Sequence, residues 1–509
     1  DIELELIAAT SLDEHTSYHF ITYQDETLKT SQDIYAAGSW HKVQPLTRKD
    51  LMVGQIITGP ALLADATNAT VIEPGWQAEV LIDGSLQLTE VVSSKSELSK
   101  AIKVEDTTET KPVCDPVKLE LYNNIFMAIA EEMGLTLQQV SHSVNIKERL
   151  DFSCAIFDGQ GRLIANAPHM PVHLGSMGEA VVSLIKACQS KDHQPASCGI
   201  KSGDVYLSNN PYNGGTHLPD ITAISPVFLA GQSEPVFFVA SRGHHADIGG
   251  ITPGSMPPLS TSIEQEGTML DNVMVMEHGQ LLDARVRQLF LDNPYPARNI
   301  EQTISDIKAQ IAANHKGIAA LSSLAAQRGL SEVKSYMDFA RANARIAVLE
   351  ILGDLTDGQA QSTMDDGSII SVSITISQDK QSATIDFTGT SGPTNNNFNT
   401  PRAVVRAAVL YVFRTLTKRD IPLNDGCVEP LNIIIPPHSL LSPDYPRAVV
   451  AGNVETSQAI VDALYRCLGK LADSQGTMNN FTFGNEHYQY YETICGGAGA
   501  GNGFDGASA

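Results

Sequence analysis

The sequence predicts an α+β protein with a mixed α/β layout: a small β-rich N-terminal domain, then a large mixed domain assembly. Three observations carry this. Residues 1–90 read as short apolar runs punctuated by Gly and Pro, which is strand-and-turn character. A long apolar stripe at helical spacing opens after residue 115, and residues 299–345 are predominantly helical. Further strands and helices follow in an irregular order, with no βαβ repeat and no internal period.

In the first domain, the runs Gln55 to Thr58 and Ala61 to Ala64 read as strands. Its clearest signal is Ala78 to Ile82, then Asp83-Gly84, then Ser85 to Thr89, since Asp-Gly supplies the positive φ angles of a tight hairpin. Residues 91–114 turn to Ser, Lys, Glu and Thr, bury too little to order themselves and read as a linker. Asp115-Pro116 then reads as an N-cap with Pro at the first helical position, followed by the stripe Leu121, Ile125, Ile129 and Met133. The second domain spans residues 115–509. In it, Asp151 to Phe157 and Val236 to Ser241 read as strands, and Asn299 to Arg345 as helix broken near Gly329. Strands Ile369 to Ile376 and Ser382 to Phe387 precede a helix from Glu455 to Ala472.

The 509 residues carry 34 basic and 58 acidic side chains, a formal charge of −24. A chain this acidic, with no basic tract, is a poor partner for nucleic acid or an anionic membrane surface. The longest apolar candidate, Ala403 to Phe413, is interrupted by Arg406 and is too short to span a bilayer. Seven scattered cysteines without a CxxC pair indicate neither a disulfide scaffold nor a zinc ribbon, so a reducing cytoplasm is the expected location. The chain opens at Asp1 directly into alternating Ile2, Leu4 and Leu6, and closes in Gly-rich sequence from Cys495 to Ala509; the reading expects a fragment of something longer.

Four segments gather the groups that could do chemistry. Asn145 to Ser153 carries Glu148 and Asp151, on one face if helical and on opposite faces if extended. Ala167 to Met177 holds His169 and His173 on a loop stiffened by two prolines; each histidine either lines a site or bonds loop backbone. Asn209 to Asp220 ends in His217 and Asp220, a nitrogen and an oxygen ligand three residues apart across the restrained Pro219, which either converge on one divalent ion or form a Gly-Pro turn with an Asx-type bond. Ser241 to Gly250 adds His244 and His245, with Arg242 and Asp247 beside them. Neighbours on a strand face opposite ways, so at most one of the two histidines joins His217 and Asp220 unless the strand has ended. Two polar loops, Asp386 to Asn397 and Cys495 to Gly503, expose backbone amides to which an anion could bind, though neither carries the Gly-Lys-Ser/Thr of a nucleotide loop.

Five stretches in the same order, Ile146 to Phe157 (IKERLDFSCAIF), Pro168 to Met177 (PHMPVHLGSM), Asn213 to Asp220 (NGGTHLPD), Ser241 to Met256 (SRGHHADIGGITPGSM) and Glu492 to Ser508 (ETICGGAGAGNGFDGAS), resemble the hydantoinase B/oxoprolinase family. Gly54 to Trp76 (GQIITGPALLADATNATVIEPGW) resembles the carboxy-terminal part of the partner component, hydantoinase A. The resemblance implies ATP-dependent opening of a five-membered lactam or imide ring, with fusion of the two components pointing to 5-oxo-L-proline giving L-glutamate, ADP and phosphate, and with the amide oxygen phosphorylated before water attacks. ATP would be bound by an actin-like portion upstream of Asp1, and the assembly would be a homo-oligomer.

Carried over by motif, His217, Asp220 and one of His244 or His245 would bind a divalent metal (Zn, Mn or Mg). Glu148 and Asp151 would supply a further ligand or a general base, with His169 and His173 lining the same cavity and Arg242 and Asp247 meeting substrate. Cys495 departs from the Gly expected there in the family. A two-component hydantoinase or ketone carboxylase shares these motifs, and a noncatalytic assembly subunit would use the histidines only as braces. Metal content and substrate turnover separate the three.

Overall fold

A computed structural model describes residues 30–37, 39–64, 69–82, 84–91, 113–167, 170–173, 175–189, 199–418, 421–485 and 489–508. The expected strand after Asp1, most of the expected linker, Asp83 and His169 lie outside the described residues. The chain forms two compact units, residues 1–110 and 111–509.

The first unit is built of short strands: β1 (Gln32–Ala36), β2 (Ser39–Val43), β3 (Leu46–Thr47), β4 (Ile56–Thr58), β5 (Ala61–Ala64), β6 (Ala69–Ile72), β7 (Trp76–Val80) and β8 (Leu86–Glu90). They pair as the hairpin β1-β2 and the sheets β3-β5-β6 and β4-β7-β8. Inward positions alternate, and Ile57, Leu63, Ile72, Ala78 and Val80 form a small core. The strand expected at Ala78 to Ile82 begins at Trp76 and ends at Val80, because Val80 already pairs with Leu86. Leu81 N bonds Ser85 O at 2.8 Å and Gly84 N bonds Leu81 O at 2.9 Å, with Gly84 at φ +77°.

The second unit opens with α1 (Pro116–Val140), whose N-cap Asp115 accepts from Val117 N (2.9 Å) and Lys118 N (3.3 Å). Its buried stripe is Tyr122, Phe126, Ile129, Met133 and Leu137, turned from the expected one, and Leu121 is exposed. The aromatic pair Tyr122 and Phe126 sets the buried face, Tyr122 stacking on Tyr336 with ring centroids 4.4 Å apart. After the short α2 (Val144–Lys147) come β9 (Phe152–Asp158), β10 (Leu163–Asn166) and α3 (Ser176–Gln189). β11 (Val205–Ser208), β12 (Asp220–Val227), β13 (Phe237–His244), β14 (Val273–Glu277) and β15 (Gln280–Leu281) complete an antiparallel sheet of order β10-β9-β13-β12-β11-β14-β15.

Helices α4 (Asp283–Leu291), α5 (Ile300–Arg328) and α6 (Leu330–Asp354) follow, and Gly329 at φ +86° makes the expected break between the last two. Gly317 lets α5 lie close to α1, since a Cβ there would stand 2.4 Å from Met133 Sδ. The second sheet, β16 (Gly358–Thr363), β17 (Ile369–Ile376), β18 (Ala383–Asp386) and β19 (Leu431–Ile434), pairs β18 with β19 in parallel. α7 (Arg402–Thr415), α8 (Thr456–Leu468) and the hairpin of β20 (Asn480–Gly484) and β21 (Gln489–Thr493) finish the unit. Among the described residues no helix is long and apolar enough to cross a membrane.

The period of two along β9 and β13 sorts side chains between two cores. Phe152, Cys154, Ile156, Phe237 and Val239 face α1 and α5. Ala155, Phe157, Phe238 and Ala240 face the opposite side, packed with α3, α7, α8 and the second sheet. Following that second face toward the end of the sheet, the apolar row Ala155, Ala240, Ile224 gives way to a polar row, Ser153, Arg242, Thr222 and Ser208. Beyond it Asp220 pairs with His244, and Asp151 O accepts from His244 N at 3.0 Å. The fold thus delivers ionisable side chains from three adjacent strands to one buried spot.

Candidate metal centre

Asp220 opens β12 and His244 closes β13, so ladder pairing sets the two side by side. β13 runs on past the Ser241 expected as its end, so alternation still holds at His244. His217 reaches the same point from the Pro-restrained turn before β12, in which Asp220 N bonds His217 O at 3.1 Å. His217 Nε2, His244 Nδ1 and Asp220 Oδ1 form a triangle with edges of 3.2, 3.1 and 3.1 Å. All three residues are 1–2 % exposed. Ligand atoms about 2.0 to 2.2 Å from one divalent ion lie roughly 3.0 to 3.5 Å apart, so the triangle's edges, which are also hydrogen-bond lengths, fit one ion. Two imidazole nitrogens and a carboxylate oxygen are also a donor set that zinc and manganese accept.

The other oxygen of the carboxylate, Oδ2, is held separately. Thr216 Oγ1 donates to it at 2.7 Å, Asn453 Nδ2 at 3.3 Å, and His173 Nε2 stands 3.4 Å away. His173 is itself oriented by Ser153, whose Oγ lies 3.1 Å from Nδ1. Burial opposes ionisation of Asp220, but the charges and hydrogen bonds of His217 and His173 outweigh it and hold the carboxyl well below its usual range. For His244, burial works against the charged form, yet Asp151 and Asp220 raise the imidazole above its ordinary value. Asp151 Oδ2 is 3.9 Å from His244 Nδ1 at the more open edge of the cluster.

Several expected site residues sit elsewhere. His245 faces the opposite side of the sheet, where Nε2 meets Gln310 Oε1 on α5 at 3.0 Å, as alternation after His244 demands. Burial depresses its imidazole, the charge of Asp306 and the Gln310 bond opposing. Glu148 is solvent-exposed at the end of α2. Asp247 is spent on loop structure: Oδ1 accepts from Gly249 N and Arg298 N, Oδ2 from Gly254 N and, at 2.8 Å, Arg298 Nη1. Arg242, expected at the substrate, is wholly buried one pleat below His244, its Nε donating to Thr222 Oγ1 and its Nη1 to Ser176 Oγ. Burial lowers its pKa to about 10 against the pull of Asp220, which leaves it a cation at neutral pH.

Thr216, Ser153, Asn453 and the Val450 carbonyl, 3.4 Å from His217 Nδ1, were not singled out by sequence reasoning. The first two lie inside the quoted motifs and offered a signal; the last two are more than 200 residues from their partners. Of the two polar loops, Asp386 to Asn397 is closed on itself, Thr394 N and Oγ1 bonding Asn399 and Asn396. Gly497 and Gly499 of the second line a mainly apolar cavity of about 400 Å³ between α7 and α8. The triangle residues do not line it, although Met170 to Val172, next to His173, do.

The segment 445–453 that supplies Val450 and Asn453 is pinned by Glu266, which is fully buried and whose pKa is raised by that burial from 4.5 to about 7 despite hydrogen bonds from Val450, Ser260 and Val449. A carboxyl raised on folding binds more protons in the folded than in the unfolded state between those two values. Stability contributed at low pH is therefore lost as pH rises from about 4.5 to 7, by about 3 kcal/mol in all. Glu266→Gln, uncharged throughout, removes that decline. Urea midpoints measured from pH 4 to 8 are expected to show the variant gaining on the parent across this window and holding a constant lead above it. Parallel profiles would contradict the assignment.

Residues 115–509 match the Hydantoinase B/oxoprolinase family. The chain is 42% identical to 5-oxoprolinase 1 of Arabidopsis thaliana over 502 residues, covering 93% of this chain and 38% of that one. It is 44% identical to the 5-oxoprolinase of Dictyostelium discoideum over 471 residues, covering 91% of this chain and 35% of that one. The chain therefore spans little more than a third of the length of these relatives. Among solved structures, the ATP-dependent caprolactamase from Pseudomonas jessenii superimposes with a TM-score of 0.67 over 78% of this chain and 70% of its own, at 22% identity, a likeness of fold.

Proposed function

The chain belongs to the hydantoinase B/oxoprolinase family, and from that premise we propose that it is the ring-opening part of an ATP-dependent 5-oxoprolinase. In the proposed reaction 5-oxo-L-proline, ATP and two water molecules become L-glutamate, ADP and phosphate. Amide resonance stabilises the lactam, and coupling to ATP makes its opening favourable. The nucleotide would be bound by a portion of the protein outside this chain, within a homo-oligomer.

The observation that carries the reading is the triangle of His217, Asp220 and His244, which lies inside the family's matched stretch. A divalent ion held there would polarise a carbonyl oxygen or lower the pKa of bound water. Two nitrogens and one oxygen suit Zn²⁺ or Mn²⁺ better than Mg²⁺, which prefers oxygen donors. Around it the chain's own groups divide the work. Asp220 offers Oδ1 to the cluster while Thr216 and Asn453 fix Oδ2. Asp151, whose Oδ2 stands 3.9 Å from His244 Nδ1 at the open edge, would accept a proton from attacking water. His173, locked by Ser153, keeps the Asp220 carboxylate oriented. With Arg242 and Asp247 engaged internally, the substrate carboxylate must be met by other groups.

The complete protein, assayed with 5-oxoproline and ATP, is expected to release glutamate and ADP in equal amounts. Turnover of N-methylhydantoin, or of a ketone with bicarbonate, and none of 5-oxoproline would replace this reading with its relatives' chemistry. Absence of turnover with every one of these would favour an assembly role.

A further inference from the structure

Glu266 is a carboxylate with no exposed surface, and among the described residues no cation pairs with it. Its Oε1 accepts instead from Ser260 Oγ (2.8 Å), Val449 N (3.0 Å) and Val450 N (3.0 Å), with Val449 N also 3.2 Å from Oε2. Burying an acid on neutral donors is expensive. What the acid secures is one turn of 3₁₀ helix, Val450–Asn453. Its first residue presents a carbonyl oxygen 3.4 Å from His217 Nδ1, and its last donates Nδ2 to Asp220 Oδ2 at 3.3 Å. One short turn thus touches two of the three members of the triangle, each on the atom that faces away from it. A carbonyl at Nδ1 holds the proton there and leaves Nε2 as the lone pair aimed at the cluster.

Resting on the metal reading above, we infer that Glu266 is a positioning residue for the metal centre: it clamps the turn 450–453 as an outer shell that sets the tautomer of His217 and the rotation of the Asp220 carboxylate. The residue touches neither substrate nor metal. It acts through Val450 and Asn453. An amide in its place keeps an oxygen for all three donors, whereas alanine keeps none.

The test is the affinity of the 509-residue chain for Mn²⁺ and Zn²⁺, measured by competition with a chelator of known strength, together with thermal midpoints of the metal-free proteins. Glu266→Ala is expected to bind each ion about 10- to 100-fold more weakly. Glu266→Gln is expected to stay within about threefold of the parent, since outer-shell hydrogen bonding survives. Rescue by the amide distinguishes positioning from loss of charge. A folded Glu266→Ala chain with a lower midpoint and unchanged affinity overturns the inference, because the residue then serves only stability. Should the alanine variant not be recovered folded, Glu266→Asp, which withdraws the carboxylate by one methylene, carries the same test, and parental affinity in it overturns the inference. A parent that binds neither ion overturns the metal reading itself, and this inference with it.

Discussion

A chain carrying His217→Ala folds with lowered stability, having lost a partner of the buried Asp220, and takes up a divalent metal more than about 100-fold more weakly than the parent, a loss beyond that of outer-shell partners. His217 contributes one of the three converging atoms, so its removal leaves two ligands and an open site. In the metal-free fold its Nε2 also lies 3.1 Å from Asp220 Oδ1 and helps to keep that buried carboxyl ionised, while its Nδ1 contact with Val450 O is long, at 3.4 Å. Equilibrium dialysis against Zn²⁺ and Mn²⁺ with a parallel urea titration checks both halves. Unchanged uptake would remove His217 from the centre. Asp220 is a poorer probe than His217. Its carboxylate is buried among His173, Thr216, Asn453 and the charge of Arg242, so its loss strands several partners and unsettles the fold as well as the site.

The second large effect is expected at Arg242. Arg242→Met destabilises the metal-free protein by about 1.5 to 3 kcal/mol, the cost of unmaking buried hydrogen bonds to a charged donor. The guanidinium is wholly buried, donates to Thr222 and Ser176, and feels Asp220 as its one attractive charge of consequence. Methionine fills much of the volume but leaves the Asp220 charge without the cation below it. That same cation repels a divalent ion, so the variant gains more stability from added metal than the parent does, by mass action on a tighter site. Thermal midpoints with and without Zn²⁺ test this: the deficit of the variant narrows when metal is added. A variant as stable as the parent, or a deficit untouched by metal, contradicts the account.

Much of the fold was legible because local signals agreed with tertiary packing. The Asp115-Pro116 start of α1, the Gly329 break between α5 and α6, and strand β17 all carry their information within a few residues. The stripe of α1 was misplaced because several apolar faces overlap on that helix, and the choice is made by Tyr336, more than 200 residues away. At the site, His217 and Asp220 were legible from Pro219 and their spacing, and alternation limited the paired histidines to one. That it is His244 depends on where β13 ends, and the polar residues Ser241 and Arg242 masked its continuation. Arg242 and Asp247 were read as substrate contacts because a charged side chain near a motif says nothing of its burial. Asn453 and Glu266 were invisible, since their connection to the centre exists only after the segment 445–453 folds across the end of the sheet.

His217, Asp220 and His244 are expected to be the protein ligands of one divalent ion. Anomalous diffraction at the metal absorption edge, from crystals of this chain grown with Zn²⁺ or Mn²⁺, tests it most directly. One dominant peak is expected within bonding distance of His217 Nε2, Asp220 Oδ1 and His244 Nδ1, with His245 turned away toward Gln310. A dominant peak elsewhere, or an empty triangle in crystals saturated with either ion, would contradict it.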